Sequence, residues 1–432
     1  MCVFGVGEGG RPLIRGRVIV CIASAWDYDP TSKHHVMKLL SRENEIIWVN
    51  YHGTRRPGVR ITDLKSAFVA LRRFAGGVRR ITPQMVQITP FVFPGASRRP
   101  LVRLSQALLV RQIAQAVRTV DPKRRKPLQV WSFAPDVGDL VGRFREECFV
   151  YYCVDEYAQF ENLDRVRIEA CEEHLLRDAD VIITTSQPLY ESRQERRPDT
   201  VLVRHGVDYE HFSRACRLQL PVPQDIADLS GPIFGFFGLI HHWVDIELLA
   251  RVAELRPAYS FVLLGAAHTD TSMLRRIPNV RLLGRRPYAE LPAYCAAFDA
   301  GLLFFRRTAM TRNVNPIKLY EYLAAGLPVI STSIPETARM AGPVRLADTP
   351  EDFADACDQV VQNTERHSPA ETSKLVETET WADRVETLSD IILRRVRGTY
   401  QAPRLRFIPA ADAADAALGG EPASTAPSCV GL

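Results

Sequence analysis

Apolar runs rich in β-branched residues recur along the chain, alternating with stretches whose apolar positions repeat at helical spacing. That alternation is the mark of parallel β-α-β units. In the first half it predicts strands at Val18–Ala23, Glu45–Asn50, Met85–Thr89, Val130–Phe133, Phe149–Val154, Val181–Thr184 and Thr200–Arg204. Helices fit His34–Leu40, Leu101–Val120 and Asp164–Arg177. The second half repeats the theme, with strands at Ile233–Phe237, Ser260–Leu264, Val280–Leu283, Gly301–Phe305 and Val329–Thr332. Helices fall at Val244–Leu255, Tyr288–Phe298, Pro316–Ala325, Glu351–Asn363 and Trp381–Arg397. The strand runs are nearly continuous in apolar residues, as strands covered on both faces should be.

The pattern breaks at His205-Gly206-Val207-Asp208, and residues 213–232 are rich in Pro and polar side chains. A chain of 432 residues outgrows one hydrophobic core, so two domains are expected. The fold class read from this pattern is α/β: two Rossmann-like parallel-sheet domains facing across a cleft. The expected division is an extension over 1–16, a first domain over 17–205, a second over 206–380, a closing helix over 381–397 and a tail over 398–432. Beyond about residue 401, Ala, Pro, Gly, Ser and Thr dominate, which predicts disorder. Ligands of such sheets bind beyond the carboxyl ends of the strands.

Composition changes this picture little: 46% hydrophobic and 24% charged residues are ordinary for a soluble globular chain. No run of about 18 apolar residues offers a transmembrane helix. Arg11 to Arg17 followed by Val18–Ala25 imitates a signal peptide, but its apolar part is short and reads better as a buried first strand. The nine cysteines are scattered without a C-x-x-C pair, as reduced thiols of a cytoplasmic protein would be. Charge matters more in its distribution than in its net +5. Arginines and lysines crowd residues 55–126, among them Arg72, Arg73, Arg79, Arg80, Arg103, Arg111, Arg118 and Lys123–Lys126, opposed by Asp63 and Asp121. Phe68, Leu71, Phe74, Leu101, Leu104 and Leu108 lie among them at near-helical spacing. A solvated basic face and an anionic membrane surface both fit, and the interleaved apolar residues favour the membrane. Nothing resembles a nucleic-acid-binding motif.

Residues 313–330, from Asn313 through Asn315-Pro316-Ile317-Lys318 and Glu321-Tyr322 to Gly326 and Pro328, are the most informative stretch. Asn315 suits an N-cap, Pro316 the first helical turn, and Gly326 the helix end. Lys318 then sits where the helix dipole disfavours a cation, a sign that a bound diphosphate reverses. Lys318, Glu321 and Tyr322 share one face by spacing, and a carboxylate one turn on can accept from a ribose diol. An ordinary surface Lys–Glu pair is the competing reading.

This stretch resembles the nucleotide-binding motif of GT-B fold glycosyltransferases, particularly the bacterial family 4-type enzymes of cell-surface polysaccharide synthesis. Their pattern has two glutamates eight apart before A-x-G-x-P-V; Glu321 and Ala325–Val329 match the second glutamate and the ending, while Asn313 replaces the first. The resemblance implies that Asn313 faces the transferred sugar. It extends to His205–Asp208 with Phe212, to the strand and Gly turn Phe234–Gly238, to Val280–Gly284, Leu291–Tyr294 and Asp299–Phe305. Where the family places an Arg and a Lys after the Gly turn, this chain has His241, His242 and Trp243. The nucleotide-sugar site implied is therefore Gly238, His242, Asn313, Asn315, Lys318, Glu321 and Tyr322.

In the first, acceptor-side half, Asp155 and Glu156 follow a strand at its cleft-facing end. An inverting transfer needs a base there, and Asp155 is preferred over Glu156. Lys33 and His34 open a helix after the first strand and are acceptor-side candidates. Asp27-Tyr28-Asp29 imitates a D-x-D metal motif but lies far in sequence from the phosphate helix, so metal dependence and other cofactors are not expected. The expectation is a hexosyl-type transferase at the inner face of the membrane. It would use a nucleoside-diphosphate sugar and a saccharide acceptor, the latter carried on a lipid. A nucleotide-sugar epimerase and a non-catalytic, membrane-associated scaffold are the alternatives.

Overall fold

The computed structural model describes residues 13–27, 30–51, 77–91, 99–160, 163–340, 342–362 and 368–398, without the side chains of residues 99–102. Outside these lie Tyr28 and Asp29 of the D-x-D, the apolar-basic stretch around Phe68–Phe74 with Arg72 and Arg73, and the tail beyond 398. Two separate sheets form the frame. The first runs β3 (Arg79–Thr82), β4 (Met85–Ile88), β2 (Glu45–Asn50), β1 (Val18–Ala23), β5 (Leu128–Ser132), β6 (Cys148–Cys153), β7 (Val181–Thr184), β8 (Val201–Leu202). All neighbours are parallel except β3, which turns back antiparallel on β4 at the edge. The second sheet is wholly parallel, in the order β11 (Val280–Gly284), β10 (Ser260–Leu264), β9 (Ile233–Phe237), β12 (Ala300–Leu303), β13 (Val329–Ser331), β14 (Val344–Leu346).

Side chains of each strand alternate between two apolar layers, which is why the strand sequences are apolar throughout. In the first sheet, Ile19 and Cys21 enter one layer and Val18, Val20 and Ile22 the other. The helix Arg99–Val120 covers the second layer through Leu109, Ile113, Ala116 and Val117. The other layer is closed by the helix Ser32–Leu40 and by the last described helix, Trp381–Val396. That last helix belongs to the first sheet: Trp381, Val385, Leu388, Ile392 and Leu393 pack among residues of β1, β2 and β6.

The two chain crossings between the domains are stitched together. Val207 N–H donates to Glu379 O at 2.9 Å and Trp381 N–H to Val207 O at 3.2 Å. A Cβ on Gly206 would meet the Thr380–Trp381 backbone at 2.8 Å, so glycine is required for this approach. Each sheet reverses its strand order at one place, β1/β5 in the first and β9/β12 in the second. Crevices open at such points.

Candidate active site

The second-domain crevice is built on the end of β9. Gly238 follows that strand with φ +131°, a backbone conformation that side chains resist, and its N–H donates to Leu264 O at 2.8 Å. A Cβ there would overlap the Lys318 side chain. Lys318 therefore lies across the Gly238 turn rather than reaching into solvent. It stands in the first turn of the helix Ile317–Ala324, whose cap position is Pro316 rather than Asn315. No side chain caps this helix and its first turn carries no acid. The N–H groups of Ile317 and Lys318, with Lys318 itself, form a concentrated positive end.

One turn on, Glu321 is buried, and among the described residues nothing donates a hydrogen bond to its carboxylate. Burial pushes its pKa up to about 7, with Lys318 opposing and Asp208 adding to the rise. Such a carboxylate accepts donors readily when a ligand supplies them. Tyr322 does not share this face: it is fully buried, accepts from Phe237 N–H at 3.1 Å, and packs over Gly301 and against Phe237. Near 3.6 residues per turn, a neighbour of Glu321 points 100° away, and here that direction is the sheet. Gly326, at φ +82°, ends the helix as expected.

Asn315 is 3% exposed and donates through Nδ2 to Thr185 O of the first domain at 2.8 Å, while its Oδ1 has no partner. It is thus a tie between domains and not the helix cap. The Asn313 side chain donates to Ala309 O at 2.7 Å and its carbonyl accepts from Ser186 Oγ at 2.6 Å. His242 stands in the β9–helix loop with its N–H on His241 Nδ1 at 2.9 Å, and the His241 ring stacks on Trp243 at 4.2 Å.

On the acceptor side, the structure separates the candidates. Asp155 lies just past β6, half-buried. Desolvation raises its pKa to about 6, with Lys33 opposing and Glu156 adding to the rise. Lys33, also half-buried, is shifted down by desolvation and back up by Asp155. Glu156, by contrast, is held on both oxygens by Arg193, which also grips the buried Glu172 at 2.9 Å. It is an ion-pair partner and not a free base. His34 is corrected as well. Its Nδ1 accepts from Thr31 N–H at 3.1 Å, Nε2 is buried without a partner, and the ring lies 5.3 and 4.9 Å from Trp26 and Trp48. Burial drives its pKa down to about 3, so it is a neutral core aromatic.

A hydrogen-bonded path joins the two sides: Asn315 donates to Thr185 O, and Thr185 Oγ1 donates at 3.2 Å to Val154 O, the residue before Asp155. Lys318 follows Asn315 by three residues. Sequence reasoning missed Thr185, Ser186 and the buried Glu336, whose local pattern reads only as helix starts. It quoted Asp208 without giving it a role.

Against this geometry, residues 231–363 match the family of group 1 glycosyl transferases. Over 273 residues the chain is 28% identical to TuaH of Bacillus subtilis (strain 168), described as a "putative teichuronic acid biosynthesis glycosyltransferase", covering 58% of this chain and 68% of that one. Among solved structures, sucrose-phosphate synthase from Thermosynechococcus elongatus superposes with a TM-score of 0.57 at 16% identity, over 88% of this chain and 97% of the other. A UDP-forming α,α-trehalose-phosphate synthase from Burkholderia xenovorans, in complex with glucose-6-phosphate, gives 0.59 at 11% identity, over 89% and 100%. At such identities these two speak for the fold alone. The chain has the GT-B fold, and residues 231–363 in its C-terminal half carry the group 1 glycosyl transferase domain.

Proposed function

We propose that this protein is a glycosyltransferase that moves a sugar from a nucleoside-diphosphate donor to a saccharide acceptor in bacterial surface-polysaccharide synthesis, without a metal ion. The observation that carries the reading is the uncapped start of the helix Ile317–Ala324, with Lys318 laid over Gly238 and the Glu321 carboxylate open one turn on. The diphosphate sits against Lys318 and the helix N–H groups, and Glu321 accepts from the ribose diol. The acceptor hydroxyl attacks the anomeric carbon, the bond to the diphosphate oxygen breaks, and the nucleoside diphosphate leaves with the electron pair. Asp155, ionised above about pH 6, takes the hydroxyl proton. Lys318 and the helix end stabilise the charge that develops on the leaving group. The surface-polysaccharide setting rests on the likeness to TuaH.

The acceptor is lipid-linked and the enzyme works at an anionic membrane surface. Supporting this, Arg103, Leu104, Arg111 and Arg118 are exposed on the helix Arg99–Val120, at spacings that place them on one face. Arg79 and Arg80 are exposed on the edge strand β3. No described helix is long and apolar enough to cross a membrane, so attachment would be peripheral. The deciding experiment is a nucleotide-sugar panel with chelator present. One donor should yield its nucleoside diphosphate, and Lys318→Ala should lower the rate of that yield by about 10²–10³. Nucleotide binding without turnover of any donor would instead favour a non-catalytic protein. Co-sedimentation with phosphatidylglycerol vesicles should fall in high salt and on neutralising Arg103, Arg111 and Arg118 together.

A further inference from the structure

Three consecutive residues of the first domain, at the turn after β7, each reach a different point of the second. Thr185 O accepts from Asn315 Nδ2 at 2.8 Å, Ser186 Oγ donates to Asn313 O at 2.6 Å, and Gln187 N–H donates to Glu336 Oε1 at 2.6 Å. Thr185 and Ser186 are fully buried and Glu336 is 1% exposed. The other oxygen of Glu336 accepts from Arg204 Nε at 2.8 Å, so a first-domain cation neutralises a second-domain carboxylate. Arg339, on the second domain, stands 3.6 Å from the same oxygen.

We propose that the turn Thr185-Ser186-Gln187 is an interdomain catch that sets the register between the donor helix and the acceptor-side acid, with Asn315, Ser186 and Glu336 as its positioning residues. The inference rests on the transfer reading above. Its logic is connectivity. On one side, Asn313 and Asn315 form the segment running directly into Ile317 and Lys318, so fixing them fixes the leaving-group end of the cleft. On the other, the Thr185 hydroxyl holds Val154 O, and Asp155 is the next residue. A single turn therefore grips both reacting partners' supports. Both amide and hydroxyl ties are directional and short in reach, so they form only when the two domains are close. Glu336 adds a charge-assisted bond that holds the turn from its far side. None of the three side chains need touch a ligand.

The register argument separates this role from simple ligand binding. Misplacement of reacting groups by about 1 Å costs turnover steeply, whereas a nucleotide held by one domain alone is insensitive to it. Full-length Asn315→Ala, Ser186→Ala and Glu336→Gln are compared with wild type using the donor selected by the panel. Titrations with UDP and GDP report nucleotide affinity separately. The expected result is a fall in kcat of roughly tenfold or more in Asn315→Ala, with the nucleotide Kd within about twofold of wild type. Thr185→Val, which removes only the tie to Val154, should lower kcat and leave Kd alone. Unchanged nucleotide binding also certifies that each variant folds. A Kd that weakens in step with kcat makes Asn315 a ligand contact and overturns the proposal; so does an unchanged kcat in all four variants. If wild type binds nucleotide but turns over no donor, the transfer reading fails by itself. The catch is then tested by small-angle scattering of the Asn315→Ala, Glu336→Gln double variant, where a larger radius of gyration sustains it and an identical one refutes it.

Discussion

The two sides of the cleft treat their charged residues differently. In the second domain a cation, Lys318, sits in the first turn of a helix, and the buried Glu321 carboxylate one turn on receives no hydrogen bond from the described residues. On the acceptor side most charge is consumed internally. Arg193 binds Glu156 and Glu172 together, and Tyr151 donates to Glu172 at 2.7 Å. The first half's paired charge supports the loop that carries Asp155, while the second half leaves the Glu321 carboxylate able to accept from a ligand. A buried carboxylate that no described residue donates to is thus more telling than one that is merely ionisable.

The contrast is breakable. Replacing Lys318 by Ala should lower turnover by about 10²–10³, because the leaving diphosphate loses its main cation; single-turnover kinetics measure this. Arg193→Met should strip a buried charge from between two carboxylates and destabilise the first domain by about 3–5 kcal/mol, read from urea unfolding. A variant that unfolds like wild type would show the network to be dispensable.

Smaller effects sharpen the same comparison. Nucleoside diphosphate should bind more tightly as pH rises through about 7, where Glu321 ionises and becomes a stronger acceptor. Glu321→Gln should weaken binding and flatten that profile in calorimetric titration. Without ligand the sign reverses: the raised folded pKa of Glu321 contributes stability present below its unfolded value near 4.5 and lost as pH climbs through about 7. His34 works the other way. Its depressed folded pKa contributes stability above about 6.5 that is lost as pH falls toward 3, so Tm should drop across that interval, less so in His34→Phe.

Much of the frame was legible beforehand because buried parallel strands leave continuous apolar runs. The expected and observed limits of β1, β2, β7, β9 and β10 coincide. The edge strand β3 was missed: Arg79-Arg80-Ile81-Thr82 is exposed at the sheet margin and carries no such run. So was the helix Gln187–Gln194, whose polar sequence hides its Ser186 cap. At the site, Lys318 could be singled out because a cation in a first turn conflicts with a local rule. Tyr322 and His34 could not be sorted by the same means. Spacing places Tyr322 beside Glu321, and only the packing of Phe237 and Gly301 shows that its face is inward. His34 looked polar until two tryptophans enclosed it. Asn315 fits a cap by type, and a carbonyl more than a hundred residues away claimed its amide instead.

The return of Trp381–Val396 to the first sheet has a consequence for how the molecule is made. During synthesis the strands of that sheet emerge early, yet the apolar layer beneath Trp48 and Tyr152 stays open until nearly the whole second half has followed. An unfinished chain therefore presents a greasy half-core for most of its time on the ribosome, and a stop codon anywhere before residue 381 would damage the half of the enzyme that had already been translated.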